Sequence, residues 1–179
     1  FSYSNSGYTI LGYIIEKVTG KSFSKALEQM IFKPLGMEHT SYGPPDPTNP
    51  RRVTGYQMNF KNFYREAAEV HPSISYATGA IYSTVEDLYK WHQALQPGKF
   101  LTAASHASAY KKDAGYYGYG WSTDSTYGRQ RVSHSGNIYG FKANINRMLA
   151  DDVCVIALSN SNHSNPGEIA QRILAILYH

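Results

Sequence analysis

Apolar residues first recur with helical spacing. Leu11, Ile14, Ile15 and Val18 fall at i, i+3, i+4 and i+7 and so share one face. Ser4 or Asn5 can cap the start and Gly20 suits the C′ position, which predicts a helix from Asn5 to Gly20. A second helix is expected from about Ser22, with Phe23, Leu27, Met30 and Ile31 on one side. Pro34 stops it, and Pro34-Leu35-Gly36-Met37 reads as a turn. Residues 43–65 hold four prolines between Pro44 and Pro50 and read as a surface excursion with little regular structure. Ser83-Thr84-Val85-Glu86 is a capping box, opening a helix that aligns Leu88, Trp91, His92 and Leu95 and closes at Pro97-Gly98.

The last third changes period. Residues 117–122 and 129–134 read as strands, and Phe141, Ala143 and Ile145 alternate with Lys142, Asn144 and Asn146, giving one buried and one wetter face. Val153–Leu158 is continuously apolar and is expected at the centre of a sheet, joined to the preceding strand by an Ala150-Asp151-Asp152 hairpin. Asn165-Pro166-Gly167-Glu168 carries a cap, a first-turn proline and an acid. It starts a terminal helix whose Ile169, Ile173, Leu174 and Leu177 should lie on the sheet. Helices first and antiparallel strands later predict an α+β fold, with 1–115 mainly helix and loop and 116–179 strands plus the terminal helix.

Composition narrows the function classes. The 179 residues are 42% hydrophobic and include 16 Tyr, which excludes disorder and suffices for one domain. The six-residue run Val153–Leu158 is far short of the roughly 20 needed to span a bilayer, so no membrane span is expected. The net charge of +4 is scattered, which argues against a nucleic-acid stripe. One cysteine, Cys154, and histidines spread along the chain leave no metal motif, and no cofactor loop is visible.

The residues with chemical potential are Tyr3 and Asn5, ahead of the first helix, and His134-Ser135-Gly136-Asn137, at the expected end of a strand. Alone, Tyr3 and Asn5 would read as a buried aromatic and a helix cap, and His134 as a satisfied strand-end histidine. Together with the framework they resemble a known superfamily. Tyr3-Ser4-Asn5 is similar to the Tyr-x-Asn motif of the serine β-lactamases and D-Ala-D-Ala peptidases, in their class C, peptidase and esterase branch. His134-Ser135-Gly136 resembles that branch's Lys/His-Thr/Ser-Gly motif. Lys33-Pro34-Leu35-Gly36-Met37 with Thr40, Gly79–Thr84 with Asp87-Leu88, and Tyr117-Gly118-Tyr119-Gly120-Trp121 match the recurring framework in order. So does the strand ending Leu158-Ser159-Asn160.

The resemblance implies a β-lactamase/transpeptidase-like fold: an antiparallel sheet with a C-terminal helix and a helical subdomain, the N-terminal part missing. It also implies a chemistry, in which a serine attacks a carbonyl and a lysine stands three residues later. Tyr3 would be the general base or proton shuttle, useful near neutral pH only if cations favour its phenolate. Asn5 would bind the family lysine and the substrate. His134 would supply positive potential or polarise the tyrosine, Ser135 and Gly136 would line the substrate strand, and the Asn137 N–H would be an oxyanion donor.

The nucleophile is where the sequence departs from that pattern. Ser-x-x-Lys occurs at Ser22–Lys25 and Ser108–Lys111, but 18 Ser and 10 Lys predict about one such match by chance. A helix of about 15 residues would hold Ser22 roughly 22 Å from Tyr3, beyond reach of a base. The segment after Ser108 lacks an apolar stripe and meets Gly115. Phe1 follows no start methionine, basic region or apolar leader, so the numbering is expected to begin inside a domain.

The expectation is therefore a fragment of a serine hydrolase acting on amide or ester bonds, taking a small peptide, ester or β-lactam-type ligand and inactive by itself. The alternative is a non-catalytic module that binds peptides or a partner. An uncovered sheet edge would be met by a homodimer or a complementing N-terminal segment, and family membership would imply a periplasmic or secreted setting.

Overall fold

The computed structural model describes residues 1–59, 63–111 and 115–179. Helix α1 (Asn5–Thr19) is capped by Ser4, whose Oγ accepts the Gly7 N–H at 3.0 Å, and ends at Gly20 with φ 64°. Its burial differs from the expected stripe. Gly12 is the one buried residue, against Tyr76 and Ala77, whereas Leu11, Ile14 and Val18 lie at the surface. Helix α2 (Phe23–Leu27) is capped by Ser22, buries Phe23 and Ala26, and continues as a π-helical turn over Glu28–Phe32.

The excursion is more ordered than its prolines suggest. After β1 (Ser41–Tyr42), strands β2 (Tyr56–Met58) and β3 (Tyr64–Glu66) pair antiparallel. A short helix α3 (Pro72–Ser75) and β4 (Ile81–Tyr82), which pairs with β1, lead to α4 (Val85–Ala94). The cap of α4 is Thr84, one residue later than the sequence pattern placed it, and its Oγ1 accepts from the Asp87 N–H.

Asp87, in the first turn of α4, is fully buried, and its Oδ2 accepts from the His39 N–H at 2.7 Å and from Thr40 Oγ1 at 2.9 Å. Lys90 reaches Oδ1 at 2.8 Å. Burial alone would raise its pKa, but the bonds from Lys90, Thr40 and His39 outweigh it and hold the carboxyl below its ordinary range. Two sequence-distant framework segments are thus joined at one carboxylate.

Helix α5 (Ala103–Ala109) precedes the main sheet of β5 (Ser122–Thr126), β6 (Arg129–Ile138), β7 (Phe141–Met148) and β8 (Val153–Ser159), all antiparallel in that order. Three expectations change here. Residues 117–121 form a bent segment, not a strand, and β5 starts at Ser122. Strand β6 runs on through His134 to Ile138. Strand β8 pairs with β7 alone among the described strands, last in the four-stranded order. A continuous apolar run reports burial of both faces, not which neighbour fills the hydrogen-bonding edge.

The supposed wetter face of β7 is also covered. Helix α6 (Pro166–Tyr178), capped by Asn165, packs Ala170 and Leu174 on Met148 and Val155, and Asn146 is buried beneath it with bonds to Asn144 and Arg131. The contact row is Ala170 and Leu174, while Ile169, Ile173 and Leu177 remain exposed, so three of the four residues of the expected stripe lie off the sheet. On the opposite face Arg147 is sealed from solvent. It bonds His92, Tyr110 and the carbonyl of Leu95, and its guanidinium lies over the rings of Tyr110 and Trp121.

Candidate active site

Tyr3 and His134 come together because two local structures aim at the same place. Ser4 fixes the entry into α1 and leaves Tyr3 just outside the first turn, half-exposed. His134 stands on β6, opposite Ile145 of β7. The ring centroids of Tyr3 and His134 are 6.3 Å apart, with an angle of 36° between planes. The buried-aromatic reading of Tyr3 therefore fails, and the cap is Ser4 and not Asn5.

A third ring joins them. The Tyr117 hydroxyl lies 2.7 Å from His134 Nε2, and its ring meets Tyr3 edge-on at 5.6 Å. Phe1 stacks on the Tyr117 ring at 5.1 Å. Burial pushes the Tyr117 phenol well above its ordinary pKa, and the neighbouring hydroxyls of Tyr8 and Tyr3 push it further, so it stays protonated at neutral pH. The other imidazole nitrogen, Nδ1, lies 2.8 Å from the Ser135 carbonyl. That carbonyl only accepts, so Nδ1 carries the proton of this bond.

The glycines around Tyr117 explain how it is held. Its segment is tied down by Gly118 N–H to Trp121 O at 2.8 Å and by Tyr119 N–H to Ala109 O at 2.9 Å. A Cβ on Gly118 would clash with the Ala109 carbonyl oxygen, and Gly120 has φ 77°, a left-handed conformation. Two glycines within three residues signal such a close-packed bend. That signal was available against the strand reading, and Tyr117 itself was missed as a site residue.

Ser135, Gly136 and Asn137 are exposed and consecutive on β6, paired on one side with Asn144, Ala143 and Lys142 of β7. On the other side the β5 register ends at Ser122 opposite Ser133. Among the described strands, none pairs with 134–138 along that edge. Asn137 also lines a shallow hollow of about 490 Å³ with Gln57, Lys142 and Asn162. Asn5 is the exposed first residue of α1, two positions beyond Tyr3, and its carbonyl accepts from Thr9. The two Ser-x-x-Lys strings belong to other elements. Ser22 caps α2, and Ser108 lies in the last turn of α5, which stops before Lys111.

The antiparallel sheet flanked by helices is the fold of the serine β-lactamases and penicillin-binding proteins. The family model for beta-lactamase matches residues 1–179, and the chain belongs to that family. The chain is 28% identical over 186 residues to the putative penicillin-binding protein PbpX of Bacillus subtilis (strain 168), covering 99% of this chain and 44% of that protein. Among solved structures it is similar to the octameric penicillin-binding protein homologue from Pyrococcus abyssi, with a TM-score of 0.87 and 26% identity, covering 99% of this chain and 42% of the other. It also resembles the D-amino acid amidase from Ochrobactrum anthropi SV3 complexed with L-phenylalanine amide. There the TM-score is 0.85 and the identity 26%, over 99% of this chain and 57% of the other. The fold is serine hydrolase-like, and the chain spans less than half the length of PbpX.

Proposed function

We propose that these residues carry the tyrosine–histidine half of a serine acyl-transfer site that cleaves amide or ester bonds through an acyl-enzyme. One observation carries the reading: Tyr3 and His134, separated by most of the chain, have ring centroids 6.3 Å apart beside an open strand edge. Tyr3 takes the general-base or shuttle role, and Asn5 holds the incoming lysine and the substrate amide. The 135–137 edge receives an extended acyl group, with the Asn137 N–H as one oxyanion donor, worth about 3–4 kcal/mol in such sites. A hydroxyl or imidazole moves a proton only at hydrogen-bonding range, so the serine must be brought to within about 3 Å of Tyr3.

In this reading the nucleophile is a Ser-x-x-Lys segment outside the 179 residues. The substrates are small peptides, esters or β-lactam-type compounds. The exposed stripes of α1 and α6 and the free edge of β8 receive either that segment or a second copy of the chain. Incubation of the isolated chain with a fluorescent penicillin and a fluorophosphonate, read by mass spectrometry, tests the assignment. We expect no labelled serine; stoichiometric labelling at Ser22 or Ser108 would overturn it.

A further inference from the structure

We propose that Tyr117 is a positioning residue: its phenol donates to Nε2 of His134 and so fixes the imidazole as its Nδ1–H tautomer. The geometry leaves little freedom. The Ser135 carbonyl at 2.8 Å can only accept, which assigns the proton to Nδ1. In the neutral ring Nε2 is then a bare lone pair, and the group 2.7 Å from it is the Tyr117 hydroxyl. A histidine's tautomer is set by the bond its other nitrogen makes, and here both nitrogens are engaged at once. The Phe1 ring stacked on Tyr117 and the Gly118 contact with the Ala109 carbonyl hold the phenol from behind.

This has a consequence for the site. Neutral His134 has its acceptor filled by Tyr117 and its donor by its own strand, so it has no N–H left to offer Tyr3. Its influence on Tyr3 passes through the Tyr117 hydroxyl, which meets His134 at Nε2 and is itself coupled to Tyr3 and Tyr8. When His134 is protonated, Nε2 becomes a donor and the Tyr117 oxygen must accept. The phenol then turns its own proton elsewhere, toward the neighbouring tyrosine hydroxyls.

The inference builds on the reading of Tyr3 and His134 as a functional pair, but its test does not depend on acyl transfer. Long-range proton–nitrogen correlation spectra of the ¹⁵N-labelled chain above pH 7 distinguish the two tautomers at His134. The expected result is an Nδ1–H ring with bare Nε2 in the wild type and a shift toward Nε2–H in Tyr117→Phe, with amide resonances distant from the site unchanged. A wild-type ring protonated at Nε2, or a tautomer unaltered in folded Tyr117→Phe, would overturn the proposal. If that variant does not fold, the wild-type spectrum decides alone: bare Nε2 supports the assignment and protonated Nε2 contradicts it. An Nδ1–H ring in a protein that never acylates would leave this inference standing while removing the catalytic reading.

Discussion

Arg147 donates from Nε to Nδ1 of His92 at 3.0 Å, with both side chains sealed from solvent. Because Nδ1 accepts, His92 is neutral and its Nε2–H points to Asp152 Oδ1 at 3.1 Å. A second proton on His92 would set an N–H against an N–H of Arg147. Burial, then the Arg147 charge, lowers its pKa below the ordinary 6.5, with Asp152 acting in the opposite sense.

Stability should follow that shift. The unfolded chain takes up a proton on His92 as pH falls through 6.5, while the folded chain resists until lower pH. Stability is therefore complete above pH 6.5 and declines below it. Urea midpoints at pH 7.5 and 5.5 should differ in the wild type by more than in His92→Gln, whose amide oxygen still accepts from Arg147. Equal differences in the two proteins would refute the role given to His92.

Asp87 predicts an opposite kind of limb. Asp87→Asn keeps the volume but turns an amide toward groups that all donate, so it should cost about 2–3 kcal/mol. In the wild type, the stabilisation from the lowered carboxyl is present above its ordinary 3.8 and lost as pH falls through the lower folded value. Asp87→Asn should lack this acid-dependent loss. Denaturant melts at pH 7 and pH 2 check both statements, and an unchanged midpoint at pH 7 would refute the buried junction.

How much of this was legible depended on the range of the interaction. The caps at Ser4, Ser22 and Asn165 and the stop at Gly20 are local chemistry, and they stand where the residues placed them. The framework motifs gave the family. The junction at Asp87 is invisible to local spacing because its partners His39 and Thr40 lie almost fifty residues earlier. The burial of Arg147 was invisible for the same reason: its compensation comes from His92, Tyr110 and backbone carbonyls, a set with no spacing rule. Apolar stripes on α1 and α6 identified helices correctly, but hydrophobicity states that a face seeks cover and not whether this chain supplies it. In the candidate site, Tyr3 and His134 were legible through the motifs that flank them. Tyr117 was hidden inside a string read only as framework, because a phenol's partner is fixed by the bend of Gly118 and Gly120.

The proposed acyl transfer requires Tyr3 to serve proton transfer at a serine. Its most direct test is the acylation rate of the full-length gene product by a fluorescent penicillin or an activated ester, with Tyr3→Phe compared against wild type. Removing a general base costs about 10²–10⁴-fold, and the Phe variant keeps the ring that packs on Tyr117. A loss of that size with an unchanged fold is the predicted result, and acylation within twofold of wild type would contradict the claim.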